Sequence, residues 1–379
     1  MSDAERQLYA LALAANQHAC EHHGQTISTK VANAIDRVGE ILDRERSLGH
    51  SEFIESMTVC YGAWWGEYVR EHFGGRWIGL SEPTAPRVRL GGSVYSPMDA
   101  VRRRLLDDSA PTLRALADRL RSARESTTAE TIAVNQLAWD TKANDPRFTL
   151  SGGLPGSREE ALAAIDPWLA GEGTLEGLRL LCLAAGGGTH GPLHALAGAR
   201  VTVVDLSPKQ LEHDRMMADE MGLSIERIVT SMDNLSMLSD DSFDAVIHPV
   251  SLCYVPEVAP VYHEISRVLR PGGLYISQQK QPSSLQASVS PVASRYVIEH
   301  PAEEGYALPA LAQETTLRES GTQEFLHPLG TLLGSLCASG FVIEEIVEPP
   351  RGDVWAPSGN PQHRATYLPP YLKIKARRR

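Results

Sequence analysis

LLCLAAGGGTHGPLHALAGARVTVVDLS, residues 180–207, decides how the chain is read. An apolar run leads into Gly186-x-Gly188-x-x-Gly191, and Asp205 stands nineteen residues after the first of these glycines. That is the spacing of a dinucleotide-binding turn, in which glycines let the backbone approach the ligand and an acid at the end of the next strand receives a ribose. Another ligand that needs a tight glycine turn and a ribose-binding acid fits equally well. Asp205 closes the segment VTVVD, where a carboxylate accepts both hydrogen bonds of a ribose diol, so this residue alone discriminates nothing. Two details do discriminate. Ala184 and Ala185 separate Leu183 from Gly186, leaving a longer turn than dinucleotide domains use, and the Gly-Lys-Ser/Thr of a phosphate loop is missing.

Outward from this stretch, strand and helix patterns alternate: LRLLCLA, PLHALAG, ARVTVVD, PKQLEHDRMMADEMG, IERIVT, DAVIHPV, VAPVYHEISRVLR and GGLYISQQ. Such alternation predicts an α/β fold, a parallel sheet covered by helices on both faces. The end differs. LGTLLGSLCASG (329–340) reads as a helix closed by Gly340, and FVIEEIVEP and YLKIKARR then read as two strands with no helix between them, which must pair antiparallel.

Cys182-x-Ala184-x-Gly186-x-Gly188 resembles the first motif, Asp/Glu-x-Gly-x-Gly-x-Gly, of the class I S-adenosylmethionine-dependent methyltransferases. Two of its four positions depart from that motif: the acid is Cys182 and the first glycine is Ala184, a mild change if the alanine has a negative φ. SMDNLSML (231–238) resembles the family's acid-containing loop, DDSFDAVIHPVSLCYV its fourth-strand motif, and EISRVLRPGGLYIS its helix, turn and fifth strand. The resemblance spans about residues 135–379. It implies a seven-stranded Rossmann-like sheet with an antiparallel last strand, and S-adenosyl-L-methionine as cofactor. The positions implied in cofactor binding are Ala184, Gly186, Gly188, Thr189, Asp205, Leu206, Met232, Asp233 and His248, with Asp233 accepting from the adenine amino group and Met232 against the ring. Backbone N–H groups at the helix start after Gly188, with Pro192 near the first turn, suit a carboxylate or polar arm.

Methyl transfer from an activated sulfonium needs mainly alignment and exclusion of water, and a base only when the acceptor is protonated. The catalytic candidates are His248, at the end of the fourth strand, read either as a base or as a hydrogen-bonding wall of the cofactor pocket; Tyr254, six residues on; and His327, with Glu324 beside it in TQEFLHPLG. Residues 281–328, which include Tyr296, His300 and Tyr306, fall where the family commonly carries an acceptor-covering insertion, and are read as a substrate lid. Trp139 either closes over the cofactor or packs its helix. An Asn-Pro-Pro-Tyr motif is absent, IHPVS standing in its neighbourhood, which argues against DNA adenine or glutamine side chains as acceptors.

The 379 residues predict two domains, 1–129 and 130–379. The first reads as mainly helical, with VANAIDRVGEILDRERSL in a 3.6-residue period and Ser96-Pro97 opening another helix. Its CYGAWWGEYVREHFGGRWIGL loosely resembles a small bacterial domain of unknown role, with Trp64, Trp65, Phe73 and Trp77 as its core. Residues 121–140 read as a polar, then helical, linker ending near 130, and SGGLPGS (151–157) as a turn-rich loop. The start of the chain is neither a signal peptide nor a membrane span, and five scattered cysteines without C-x-x-C spacing read as reduced thiols rather than disulfides or a zinc site, so a cytoplasmic protein is expected. Residues 1–125 hold 16 Lys plus Arg against 17 Asp plus Glu, and the remainder 20 against 30. An acidic glycine-turn domain without a basic face argues against nucleic acid as partner. The expected activity is methyl transfer to a small-molecule acceptor, with no metal, membrane or nucleic acid involved. Two alternatives stand beside it: a non-catalytic cofactor-binding or regulatory protein of the same fold, which Cys182 and Ala184 encourage, and an NAD-dependent oxidoreductase, which would lack the antiparallel last strand. Oligomeric state is left open.

Overall fold

The computed structural model describes residues 2–49, 53–80, 86–90, 93–145, 147–148, 153–311 and 313–379. They form two compact units, Met1–Thr127 and Thr128–Arg379. The boundary falls inside a single helix, Leu113–Lys142, rather than in a polar linker. Neither glycine nor proline interrupts this 30-residue stretch, so nothing in it stops the helix, whatever its surface polarity. The SGGLPGS loop begins on Ser151 and Gly152, outside the described residues.

In the first unit, helices Asp3–His23, Ala34–Leu48, Ile54–Phe73 and Pro97–Leu106 accompany a small antiparallel sheet of Arg76–Ile78, Arg87–Leu90 and Ser93–Tyr95. Ser2 and Glu5 close a reciprocal capping box on the first helix, and Ser96 caps the fourth. Trp64, Trp65, Phe73 and Trp77 are buried in one core. The Trp-Gly-Glu and Gly-Gly-x-Trp segments fit each other. Gly66 leaves room for the Trp77 ring, which a Cβ there would approach to 2.0 Å, while Glu67 accepts from Trp77 Nε1 at 2.8 Å and from Arg70 at 2.7 Å.

The second unit is built on a seven-stranded sheet: β1 (Arg179–Leu183), β2 (Arg200–Asp205), β3 (Ile225–Val229), β4 (Phe243–His248), β5 (Leu269–Lys280), β6 (Phe341–Val347) and β7 (Tyr371–Arg378), in the order β6-β7-β5-β4-β1-β2-β3. Strands β1 to β5 pair parallel, whereas β7 runs antiparallel between β5 and β6. A dehydrogenase-type sheet lacks this strand, and the oxidoreductase reading falls with it. The β6–β7 connection does carry a helix, Pro361–Tyr367, contrary to the expectation. Asn360 caps it and Pro361 opens it; Arg364 then ties it down, its guanidinium donating to the Ser284 hydroxyl at 2.6 Å and to the Ser284 and Ser288 carbonyls at 2.7 and 3.0 Å. A helix of about two turns pinned beside the sheet returns the chain without a crossover, so the pairing stays antiparallel.

Helices cover both faces, because the central parallel strands alternate buried side chains to two cores, Leu181, Leu183 and Val204 on one, Leu180, Cys182 and Val203 on the other, while the edge strand β3 is only partly buried. Among the described residues no helix is long and apolar enough to cross a membrane, and all five cysteines are free thiols.

Candidate functional site

A cavity of about 480 Å³ opens along the carboxyl ends of β1, β2, β4 and β5, the edge at which open α/β sheets bind ligands. Of the expected cofactor positions, Ala184, Gly186, Asp205, Leu206, Met232, Asp233 and His248 line it, while Gly188 and Thr189 are not among its lining residues. The reason lies in the turn. The N–H groups of Gly187 and Gly188 point away from the cavity to the carboxylate of Asp214, at 2.9 and 3.2 Å, so they do not offer themselves to an arm of the ligand. The following helix, His190–Leu196, is only seven residues long.

Asp205 keeps the geometry expected of a diol acceptor. Its Oδ2 accepts from Gly186 N and its Oδ1 from Ser207 N, both at 2.9 Å, leaving further acceptor capacity on each oxygen. Burial pushes its carboxyl above the ordinary range, against the pull of these backbone donors. Gly186 belongs there because a Cβ would meet the Asp205 carboxylate at 3.1 Å and Gln210 Cβ at 2.8 Å.

Ala184 departs from the expectation of a negative φ: it sits at +49°, in the left-handed region that the motif's glycine would occupy freely. Ala184→Gly is therefore expected to stabilise the second unit by about 0.5–1 kcal/mol, the left-handed cost of alanine less the larger unfolded-state entropy of glycine. A rise in Tm of about 1–4 °C in a thermal melt is the expected reading, and a fall would mean the turn uses the alanine methyl.

His248 ends β4 fully buried, with Nδ1 2.9 Å from the Tyr275 hydroxyl and Nε2 2.7 Å from Ser251 Oγ. Both ring nitrogens are thus engaged, and burial pulls its pKa down to about 3, so the ring is neutral. His327 is not brought to this cavity. It follows the two-residue strand Phe325–Leu326, which pairs with Tyr306–Ala307 and turns it inward to contact the Val255 carbonyl through Nε2 at 2.9 Å. It lines a separate small void with Cys253, Gln279 and Leu332.

Tyr254 does face the cavity, and its hydroxyl donates to Glu319 at 2.6 Å. That bond opens a cluster in which Tyr254 and Glu324 were sequence candidates, whereas Lys280, Arg318 and Glu319 were announced by no pattern. Lys280, at the end of β5, donates to Glu319 at 2.5 Å and to Glu324 at 2.9 Å, and Arg318 Nε donates to Glu324 at 2.5 Å. Glu324 is fully buried and does not line the cavity itself, but meets two residues that do, Lys280 and the backbone N–H of Glu319, at 2.9 and 3.3 Å. Burial pushes the Glu319 carboxyl upward, with Lys280 opposing it. Trp139 also lines the cavity, edge-on to Phe148 and Tyr254 at 5.4 and 5.6 Å between ring centroids. Asn135, one helical turn earlier, holds the Tyr254 and Gln323 backbones through both ends of its amide. Lys280 and Asp205 end strands separated by β4 and β1, three strand spacings or about 14 Å apart across the same edge.

The residues present fit S-adenosylmethionine: a diol acceptor in Asp205, apolar surfaces in Leu206 and Met232, a carboxylate in Asp233, and a glycine where a side chain would fill the space. Residues 181–277 match a family model described as a methyltransferase domain. Over that stretch the chain is similar to a methyltransferase domain, and its seven-stranded order with an antiparallel last strand is the one the resemblance to class I S-adenosylmethionine-dependent methyltransferases implies. Among named relatives, an uncharacterized methyltransferase, YbaJ, of Bacillus subtilis (strain 168) is 52% identical over 103 residues, 27% of this chain and 40% of that protein. A 24-methylenesterol C-methyltransferase 2 of Oryza sativa subsp. japonica is 34% identical over 36% of this chain and 38% of its own length. The chain thus spans less than half the length of these two. A ubiquinone biosynthesis O-methyltransferase of Bordetella pertussis is 27% identical over 46% of this chain and 75% of the enzyme. A crystallised S-adenosylmethionine-dependent methyltransferase of Mesorhizobium loti aligns with 60% of this chain and 100% of its own, at 28% identity and a TM-score of 0.45.

Proposed function

We propose that this protein binds S-adenosylmethionine and transfers its methyl group to a small-molecule acceptor. The observation that carries the reading is one cavity with two chemically distinct ends on a methyltransferase sheet: Asp205, Met232 and Asp233 at one, Tyr254, Lys280 and Glu319 at the other. When bound, the cofactor supplies a methyl group already activated on sulfonium. The chain's own contribution is placement. Asp205 and Asp233 fix the adenosine, His248 with its two occupied nitrogens forms the wall between the two ends, and Trp139 and Phe148 narrow the opening against water.

The polar end supports a protic acceptor, such as an alcohol, phenol or amine. Tyr254, kept protonated by burial, donates to Glu319 and so leaves the carboxylate as the group that takes up a proton; its upward shift brings it nearer to neutral pH, where a base works best. Glu319 lies in 281–328, which supports that segment as part of the acceptor enclosure. The second reading, a cofactor-binding protein without turnover, is favoured by Cys182 and by the positive φ of Ala184.

Calorimetry with S-adenosylmethionine and with NAD tests the first step: binding of the former and none of the latter is expected, and the reverse would overturn the proposal. Incubating the protein with labelled S-adenosylmethionine and a metabolite extract tests the second. Formation of S-adenosylhomocysteine and a labelled small molecule excludes the non-catalytic reading.

A further inference from the structure

Cys182, the penultimate residue of β1, is a fully buried thiol, and a thiol is too weak an acceptor to hold the backbone of a glycine turn. The turn is nevertheless held, from the neighbouring helix Pro208–Met221. Asp214 on that helix has no solvent exposure, and its Oδ2 accepts from Gly187 N at 2.9 Å and Gly188 N at 3.2 Å; the Gly187 N–H is shared with the Gln210 carbonyl at 3.1 Å. Three glycines are fitted around this one carboxylate. Gly187 and Gly188 have φ of 111° and 80°, which turn their N–H groups inward, and a Cβ on Gly191 would lie 2.8 Å from Asp214 Oδ1. That Oδ1 is buried without a hydrogen-bond partner. Burial pushes the carboxyl up to about 7. A core that needed only volume here would not keep a half-satisfied carboxyl group, because burying it is unfavourable unless its hydrogen bonds do something an apolar side chain does not.

We propose that Asp214 is the positioning residue of the cofactor turn, holding Gly187 and Gly188 so that Ala184 to Gly186 and Asp205 face the ligand, a task the residue at 182 does not perform. The inference rests on the reading of this turn as the S-adenosylmethionine site. It extends to the third glycine of the motif: Gly191 is there to admit Asp214 Oδ1 and the Val203 side chain, which a Cβ would approach to 2.8 and 2.6 Å, not to touch the ligand.

The test uses the full chain and two variants, Asp214→Ala and Asp214→Asn, the second keeping a carbonyl oxygen that accepts the two N–H bonds. Two readouts are taken at a temperature where a melt shows each variant folded. Amide exchange, followed on the peptide covering 183–190, is expected to be about tenfold faster in Asp214→Ala while the other sheet peptides are unchanged, and close to wild type in Asp214→Asn. The dissociation constant of S-adenosylhomocysteine is expected to rise roughly 30-fold in the alanine variant, the loss of two hydrogen bonds, and about threefold in the asparagine variant. Unchanged exchange at 183–190 in Asp214→Ala overturns the proposal, as does faster exchange with affinity within threefold of wild type. If the alanine variant does not fold, the asparagine variant decides: exchange and affinity near wild type support the proposal, and a loss of affinity with exchange unchanged overturns it. If wild type itself fails to bind S-adenosylhomocysteine, it is the proposed function that fails, and the exchange readout still decides whether Asp214 holds the turn.

Discussion

Lys280→Met is expected to destabilise the second unit by about 3–5 kcal/mol, the usual loss when one partner of a buried ion pair is removed and its counter-charge is left behind. Lys280 has 2% of its side chain exposed and answers two carboxylates, one of them, Glu324, with none exposed. With Lys280 gone, Arg318 still pairs with Glu324, so the group left without a cation is Glu319. Thermal and urea unfolding, read separately for the two units, measure the loss. Adding Glu319→Gln to Lys280→Met removes the surplus negative charge and is expected to recover part of the stability, a coupling that a double-mutant cycle reads directly. If the single change costs less than 1 kcal/mol, the cluster is not the anchor of this wall.

Asp205→Ala is expected to weaken S-adenosylmethionine binding by about 2–4 kcal/mol, roughly 30- to 1000-fold in the dissociation constant. One charged side chain has two duties there. It holds Gly186 N and Ser207 N, and in the proposed reading it offers acceptors to the ribose diol, so that alanine removes a ligand contact and loosens the turn at once. Asp205→Asn is not expected to rescue the loss, because its amide nitrogen would face one of the two backbone N–H donors. Calorimetry settles the point, and an unchanged dissociation constant would remove Asp205 from the ribose site.

The strands and their helices were legible because the central strands bury both faces and the helices one, which leaves the apolar runs and 3.6-residue periods that sequence reading detects. Asp205, Met232 and Asp233 were legible for another reason: they sit at strand ends or in short loops, where position along the chain nearly fixes position in space. The helix at Pro361–Tyr367 was missed although Asn360-Pro361 announces it, because seven residues give too few turns for a period to show. Residues 121–140 read as helical only in their second half because the polar composition of the first hides the lack of any breaker.

By itself the sequence determined the class of fold, the antiparallel last strand and the edge of the sheet at which the cavity opens, all of which follow from local pattern and chain order. Only the tertiary structure decided which carboxylate holds the glycine turn and which polar groups meet across the cavity. Asp214 is 26 residues from Gly188, and Glu319 is 65 from Tyr254 and 39 from Lys280. Contacts at such separations leave no periodic trace, since nothing local requires an acid at 214 or 319. It is the closure of the sheet and the burial of Lys280 and the glycine amides that give those acids their partners, and with them their chemistry.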